Sequence, residues 1–157
     1  MSNKVETGTN DLLADLTDGV LTLTMNRPEA RNAMSDAMTG ALAQQLADAE
    51  LNSAVKVIVL TGAGKGFCAG GDVKGMAASG DGTVGDNTID GAIHRQRLNQ
   101  RGTAGALYSI PKPTIAALPG AAAGAGLSLA LACDMRIMAS SAMMTTAFAK
   151  VGFSGDY

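Results

Sequence analysis

The sequence has no tryptophan and only two tyrosines and three phenylalanines in 157 residues, so its core must be built from small and aliphatic side chains. Cysteine is scarce as well. Cys68 and Cys133 lie far apart, with no further Cys or His at a ligand spacing. That argues against a zinc or other metal site and against a disulfide framework, and it fits a reducing cytoplasm. The single histidine, His94, has no partner constellation around it and reads as a solvated residue on a polar helix face. Neither sign of charge is in excess, with 12 Lys plus Arg against 14 Asp plus Glu. The few bases are scattered, which excludes a nucleic-acid footprint but leaves room for anionic small ligands at local sites. No apolar run can span a membrane, the longest being Ala121 to Cys133, and the polar start Met1 to Asp11 lacks the pattern of a signal peptide.

What the chain does contain is 46% hydrophobic residues and twenty glycines. A chain near 150 residues buries about two-thirds of its unfolded surface, enough to fold without a disulfide or a metal. No period of 20 to 50 residues repeats and no linker divides the chain, so one soluble α/β domain covering residues 1–157 is expected.

Val20 to Asn26 alternates like a strand, with Leu21, Leu23 and Met25 on one side, and Arg27-Pro28 ends it. Ser35 is a suitable N-cap for a helix whose Met38, Ala41, Leu42, Gln45, Leu46 and Ala49 recur at helical spacing. Val55 to Thr61 is a β-branched run that reads as a strand buried on both faces, so strand, helix and strand make a parallel crossover. A glycine-rich loop, Gly62 to Gly71, leads to a short helix at Asp72 to Ala78 and then to a surface stretch, Ser79 to Asp86, suited to a mobile loop. A second helix is expected from Ile89 to Tyr108, weakened near Gly102 and ended before Pro111 and Pro113. Its Arg95, Arg97 and Arg101 should face water. Thr114 to Leu118, Met135 to Ala139 and Met143 to Phe148 are strand candidates, and the Ala/Gly-rich Ala121 to Ala132 implies a helix packed close to the sheet.

Three familiar site patterns fail on inspection. Gly62-Ala63-Gly64-Lys65-Gly66-Phe67 follows a strand but lacks the Gly-Lys-Ser/Thr end of a phosphate loop. Gly124-Ala125-Gly126 lacks the third glycine of a dinucleotide fingerprint, because Leu129 stands there. Gly126-Leu127-Ser128-Leu129-Ala130 resembles a nucleophile elbow, yet no histidine follows Ser128 to activate it. What remains is two small-residue loops, Phe67 to Lys74 and Gly120 to Leu127, each opening a helix. Unpaired N–H groups at helix starts, approached closely over small residues, can jointly polarise one carbonyl oxygen.

Taken in order, Asn26-Arg27-Pro28-Glu29-Ala30-Arg31-Asn32-Ala33-Met34, Gly66-Phe67-Cys68-Ala69-Gly70-Gly71-Asp72-Val73-Lys74, Pro111-Lys112-Pro113-Thr114-Ile115-Ala116-Ala117 and the Gly120 to Cys133 run resemble the enoyl-CoA hydratase/isomerase family, the crotonase superfamily. The resemblance extends from about Leu21 to Tyr157. It implies a crotonase-like α/β fold, a superhelical spiral of ββα units. It also implies an acyl-CoA thioester as substrate, whose carbonyl oxygen accepts hydrogen bonds from the backbone N–H groups of Gly71 and Ala125 so that an enolate is stabilised. The coenzyme A site would be lined by Arg31, Ala33, Ala69, Gly71, Asp72, Val73, Lys74 and Ala125, with the charges of Arg31 and Lys74 available to phosphates. No separate cofactor is implied, since coenzyme A belongs to the substrate.

The same resemblance sets a departure beside the match. Where hydratases of the family carry two glutamates, this chain has Ser128 and Phe148, so hydration by that pair is not expected. Asp156 matches the carboxylate of family isomerases and the nucleophile of the family's dehalogenase, and a single carboxylate beside an enolate site can move a proton between two carbons. Isomerase-type chemistry with Asp156 as the catalytic group is therefore the expectation. The alternatives are an inactive acyl-CoA-binding homologue and a hydrolase or dehalogenase-like enzyme using Asp156 as nucleophile, though Arg101 occupies the place of the dehalogenase histidine. Family members are longer, with a C-terminal helical region that builds homotrimers or dimers of trimers. Gly152 to Tyr157 reads as a loop leading into another helix, so the chain is expected to be the first part of such a protein.

Overall fold

The computed structural model describes residues 3–73, 75, 88–148 and 152. The alternation around Leu21 produces the expected strand, Val20–Met25 (β3), with Leu21, Leu23 and Met25 buried. Two strands that patterning alone passes over precede it, Asn3–Val5 (β1) and Leu12–Thr17 (β2). Their signal lies in the turn rather than in the strands. Asp18-Gly19 joins β2 to β3 with positive φ at both residues, 49° and 86°, and Thr17 pairs with Val20. This is the two-residue loop whose twist suits a hairpin.

Beyond the hairpin the sheet is parallel. Val57–Gly62 (β4), Thr114–Leu118 (β5) and Met135–Met138 (β7) complete six strands in the order β1-β2-β3-β4-β5-β7. Ala122–Ala123 (β6) and Met144–Thr145 (β8) form a separate parallel pair. The Met143 to Phe148 segment thus contributes a two-residue strand rather than the longer one expected. β4 corrects another expectation, because Ile58 and Leu60 are buried while Val57, Val59 and Thr61 are half-buried. Only the face that joins the core is fully covered among the described residues.

Asp36–Leu51 (α1) is the crossover between β3 and β4. Ser35 caps it, its hydroxyl accepting from Met38 N–H at 3.1 Å, and the six residues at helical spacing are the six that it buries. Each large apolar side chain so buried contributes roughly 1.5–3 kcal/mol, against about 1 kcal/mol for the cap. Packing against the sheet therefore holds α1 in place. Lys112 closes its other end, donating from Nζ to the carbonyls of Ala49 and Asn52.

The second long helix breaks where Gly102 weakens it. Ile89–Gln100 (α2) passes into a π turn, Arg101–Gly105, and resumes as Ala106–Ser109 (α3). The Thr103 hydroxyl donates to Asn99 O at 2.6 Å, and a Cβ at Gly102 would lie 3.0 Å from Ala43 Cβ. The turn carries Thr103 and Ala104 into the buried layer, while α2 buries none of its residues. Arg95, Arg97 and Arg101 are exposed, as expected, and so is His94. Ala125–Ala132 (α4) follows β6 and leads to β7. The Ser79 to Asp86 stretch lies outside the described residues, as does most of the expected helix after Asp72.

At the junction of α4 and β7, Asp134 Oδ2 accepts from the Thr114 backbone N–H at 2.8 Å and from the Thr114 hydroxyl at 2.9 Å. These bonds hold its carboxyl below the ordinary value of 3.8. Stabilisation from a lowered carboxylate is complete above the unfolded value and fades as pH falls through the folded one. Asp134→Asn is accordingly expected to unfold at lower urea than the parent at neutral pH, with the difference shrinking below pH about 4. A gap that stays constant with pH would show that the carboxylate charge plays no part.

Candidate active site

Three loops meet at the ends of β3, β4 and β5. Residue 32 organises the first two. Asn32 is fully buried at φ 55°, and its carboxamide is completely used. Nδ2 donates to Ala63 O and Gly66 O at 2.9 Å each, and Oδ1 accepts from Arg27 N–H at 2.9 Å. The loop after β3 is thereby tied to the glycine-rich loop after β4. Replacing Asn32 by Ala leaves three half-buried backbone groups without this partner and strains the positive φ. We expect urea unfolding to show a loss of about 3 kcal/mol. Asn32→Gly, which accepts that φ, should lose only the hydrogen-bond share.

The same two loops then pair. Met34 N–H donates to Gly70 O at 2.8 Å and Asp72 N–H donates to Met34 O at 3.2 Å, a parallel bridge centred on Gly71. In such a bridge the flanking residues make the bonds and the central residue's own N–H points to the other side. Gly71 N–H is therefore left free of main-chain partners among the described residues. Arg27 secures the arrangement, its Nη1 donating to Ala33 O at 2.8 Å and to Asp72 Oδ2 at 2.9 Å. Arg27 also lies 3.7 Å from Asp11.

The third loop brings the second donor. Gly124, at φ 52° and ψ −127°, occupies a conformation open essentially to glycine and precedes Ala125, the first residue of α4. Ala125 N–H has no carbonyl one turn back to meet, as at every helix start. The loops are pressed together closely. A Cβ on Gly126 would stand 2.4 Å from Cys68 O, and Cys68 and Ala122 form a parallel bridge. Gly71 and Ala125 line one cavity of about 100 Å³.

Ser128 lines that cavity too, one helical turn beyond Ala125, and Phe148 lies beside Gly124. At the two positions where the resemblance leads one to expect a hydratase's glutamates, this chain has a hydroxyl and a ring. The cavity does contain a carboxylate that sequence reasoning missed, Asp36 in the first turn of α1. It went unnoticed because its place in the helix marks it as a dipole-complementing residue.

The remaining expected site residues fall along the two paired loops. Ala69 N–H donates to Arg31 O at 3.0 Å, so Arg31, Ala33, Ala69 and Gly71 are brought together. Arg31 and Ala69 are exposed, Ala33 is buried and Val73 is half exposed. Asp72 is engaged by Arg27 and accepts from Gly75 N–H at 3.0 Å, the bond that an N-cap side chain makes. Lys74 and Asp156 lie outside the described residues. Cys68 and Cys133 are buried free thiols, both pushed up to about 11 by burial. No helix among the described residues is long and apolar enough to cross a membrane.

Known proteins are similar to this chain. The family model described as enoyl-CoA hydratase/isomerase matches residues 15–157. The chain is 39% identical over 145 residues to the 1,2-epoxyphenylacetyl-CoA isomerase of Escherichia coli K12, covering 92% of this chain and 53% of that protein. It is 41% identical over 133 residues to bovine mitochondrial enoyl-CoA hydratase domain-containing protein 2, covering 84% of this chain and 42% of the relative. Among solved structures, an enoyl-CoA hydratase from Mycobacterium avium subsp. paratuberculosis K-10 superposes with a TM-score of 0.79 at 30% identity, over 94% of this chain and 55% of that one. One from Bacillus anthracis gives 0.76 at 30% identity, over 93% and 54%. The chain spans about half the length of these relatives. With the motif order, the mixed sheet and the match over residues 15–157 in agreement, the chain belongs to the enoyl-CoA hydratase/isomerase family and has the crotonase fold.

Proposed function

We propose that the protein is an acyl-CoA enzyme that shifts a double bond along the acyl chain, with the thioester oxygen held by the N–H groups of Gly71 and Ala125. The observation that carries this reading is the cavity itself. Two backbone donors without main-chain partners among the described residues line it, with Ser128 rather than a glutamate beside them. Neutral donors fixed in place stabilise charge only as it develops on oxygen, which favours the enolate over the bound ester. Asp156 takes a proton from one carbon of the enolate system and returns it to another, a task for one carboxylate, whereas water addition uses two groups. The similarity to a 1,2-epoxyphenylacetyl-CoA isomerase supports isomerase-type chemistry.

In this reading coenzyme A arrives with the substrate and no other cofactor takes part. Its binding surface is the paired loops carrying Arg31, Ala33, Ala69, Asp72 and Val73, to which the family resemblance adds Lys74. The working form is a homotrimer or a dimer of trimers. Two buried thiols suit a reducing cytoplasm.

The test supplies 2-enoyl-CoA and 3-enoyl-CoA separately and follows both, and the 3-hydroxyacyl product, by proton NMR. Interconversion of the two olefins without accumulation of the hydroxy ester is expected. Rapid hydration would overturn the isomerase assignment. Binding of both esters without turnover of either would leave an acyl-CoA-binding protein.

A further inference from the structure

The donor at Gly71 follows a second glycine, Gly70 at φ 98°, so the stretch of chain that carries it has no side chain with which to hold itself. The Gly70-Gly71 peptide is trans, and its C=O and N–H therefore point in opposite directions. Because Gly70 O accepts from Met34 N–H at 2.8 Å, the aim of Gly71 N–H follows the tilt of this one peptide plane. The plane also lies close to the second donor. A Cβ on Gly70 would stand 3.4 Å from Ala125 N and 3.0 Å from Ala123 O. Any tilt or slide of Gly70-Gly71 thus changes the spacing of the two donors directly.

The first side chain beyond the donor is Asp72, and Arg27 grips it. One guanidinium nitrogen, Nη1, donates both to Asp72 Oδ2 and to Ala33 O, so it ties the two loops on either side of the Met34 bridge. Nε faces Asp11 Oδ2 at 3.7 Å, and that oxygen accepts from the hydroxyl of Ser35, the cap of α1. Asp11 O in turn accepts from Asn26 N–H beside β3, which roots the brace in both sheet and helix. The side chains of Arg27 and Asp72 are each only 20% exposed, so their ion pair escapes much of the screening that weakens a surface pair. Resting on the acyl-CoA reading above, we propose that Arg27 is a positioning residue for the oxyanion site: the Asp11–Arg27–Asp72 brace fixes the tilt of the Gly70-Gly71 peptide and with it the aim of Gly71 N–H at the thioester oxygen. Arg27 itself touches no substrate, since its charge is spent between two carboxylates. Without it the loop shifts against Ala125, and an error of about 1 Å in such an arrangement costs about 10²-fold in rate. The loss falls on kcat, because the enolate oxygen depends on the donors far more than the unreacted carbonyl does.

Infrared difference spectra of bound butyryl-CoA, isotope-labelled at the thioester carbonyl carbon, read the donors directly, because hydrogen bonds to that oxygen lower its stretching frequency. The parent protein should lower the stretch relative to the free ester. Arg27→Gln should lose part of that shift and reduce kcat for isomerisation of 3-enoyl-CoA by about tenfold to hundredfold, with KM changed by no more than about twofold. Arg27→Lys keeps the charge but not the planar fork and should fall between the two. Asp72→Asn breaks the same ion pair from the other side and should reproduce the spectral loss, which covers the case of an Arg27 variant that does not fold. A folded Arg27→Gln with the parent's stretch and kcat would overturn the proposal and leave the acyl-CoA reading intact. So would equal losses in affinity and kcat/KM, or unfolding of all three variants, either of which would make the brace a structural support alone. A parent protein that left the carbonyl stretch of the bound ester unshifted would instead overturn the oxyanion reading on which the proposal rests.

Discussion

Asp156→Asn is expected to slow double-bond isomerisation by about 10²- to 10⁴-fold, the range that a positioned acid or base contributes. Asparagine keeps the size and polarity of the side chain, so affinity for an acyl-CoA should change little. A stricter readout isolates the proton step. In deuterated water the parent protein should exchange the α-protons of a saturated acyl-CoA, because that step needs only the base and the two backbone donors. The variant should lose this exchange in proportion to isomerisation. Asp36 is the natural control, being the carboxylate that lines the cavity among the described residues. It is exposed at the start of α1, and Asp36→Asn is expected to retain most of the exchange. If the two variants changed places, Asp36 would be the proton carrier and the match of Asp156 to family isomerases would be a matter of loop structure.

What could be read from the sequence follows from how local the cause is. The buried stripe of α1 is visible because helical spacing writes it into sixteen consecutive residues, and all six positions it names are buried. The weak point at Gly102 is equally local, though only packing against Ala43 and the Thr103 bond to Asn99 turn it into a π turn. The residues that fix the site are a different matter. Arg27 meets Asp72 across 45 positions, and Asn32 meets Ala63 and Gly66 across 31 and 34. In the sequence both are polar residues in a loop, and nothing nearby shows that one of them is fully buried. Gly71 and Ala125 illustrate the intermediate case. Composition marks two small-residue loops, but only the family resemblance says which N–H in each loop matters. The structure then adds a reason at Gly71, since the bridge to Met34 turns that group away from the main-chain pairing.

The second donor can be removed without disturbing the first. Ala125 occupies the opening position of α4, where an N–H has no intrahelical partner and proline is well tolerated. Ala125→Pro therefore deletes one backbone donor while leaving the helix, the cavity wall and Gly71 in place. If the developing enolate oxygen is held by both groups, kcat should fall by about 10²- to 10³-fold, the loss seen when one such donor is removed elsewhere. Affinity for the unreacted thioester should fall far less, because a ground-state carbonyl carries little of the charge that the donor stabilises. Ala125→Gly retains the N–H and should stay close to the parent, separating the donor from the methyl group. A proline variant that lost binding and kcat/KM in equal measure would mark Ala125 as a group that holds substrate and transition state alike. Unaltered kinetics with a folded α4 would show that the thioester oxygen lies elsewhere and that Gly71 acts without it.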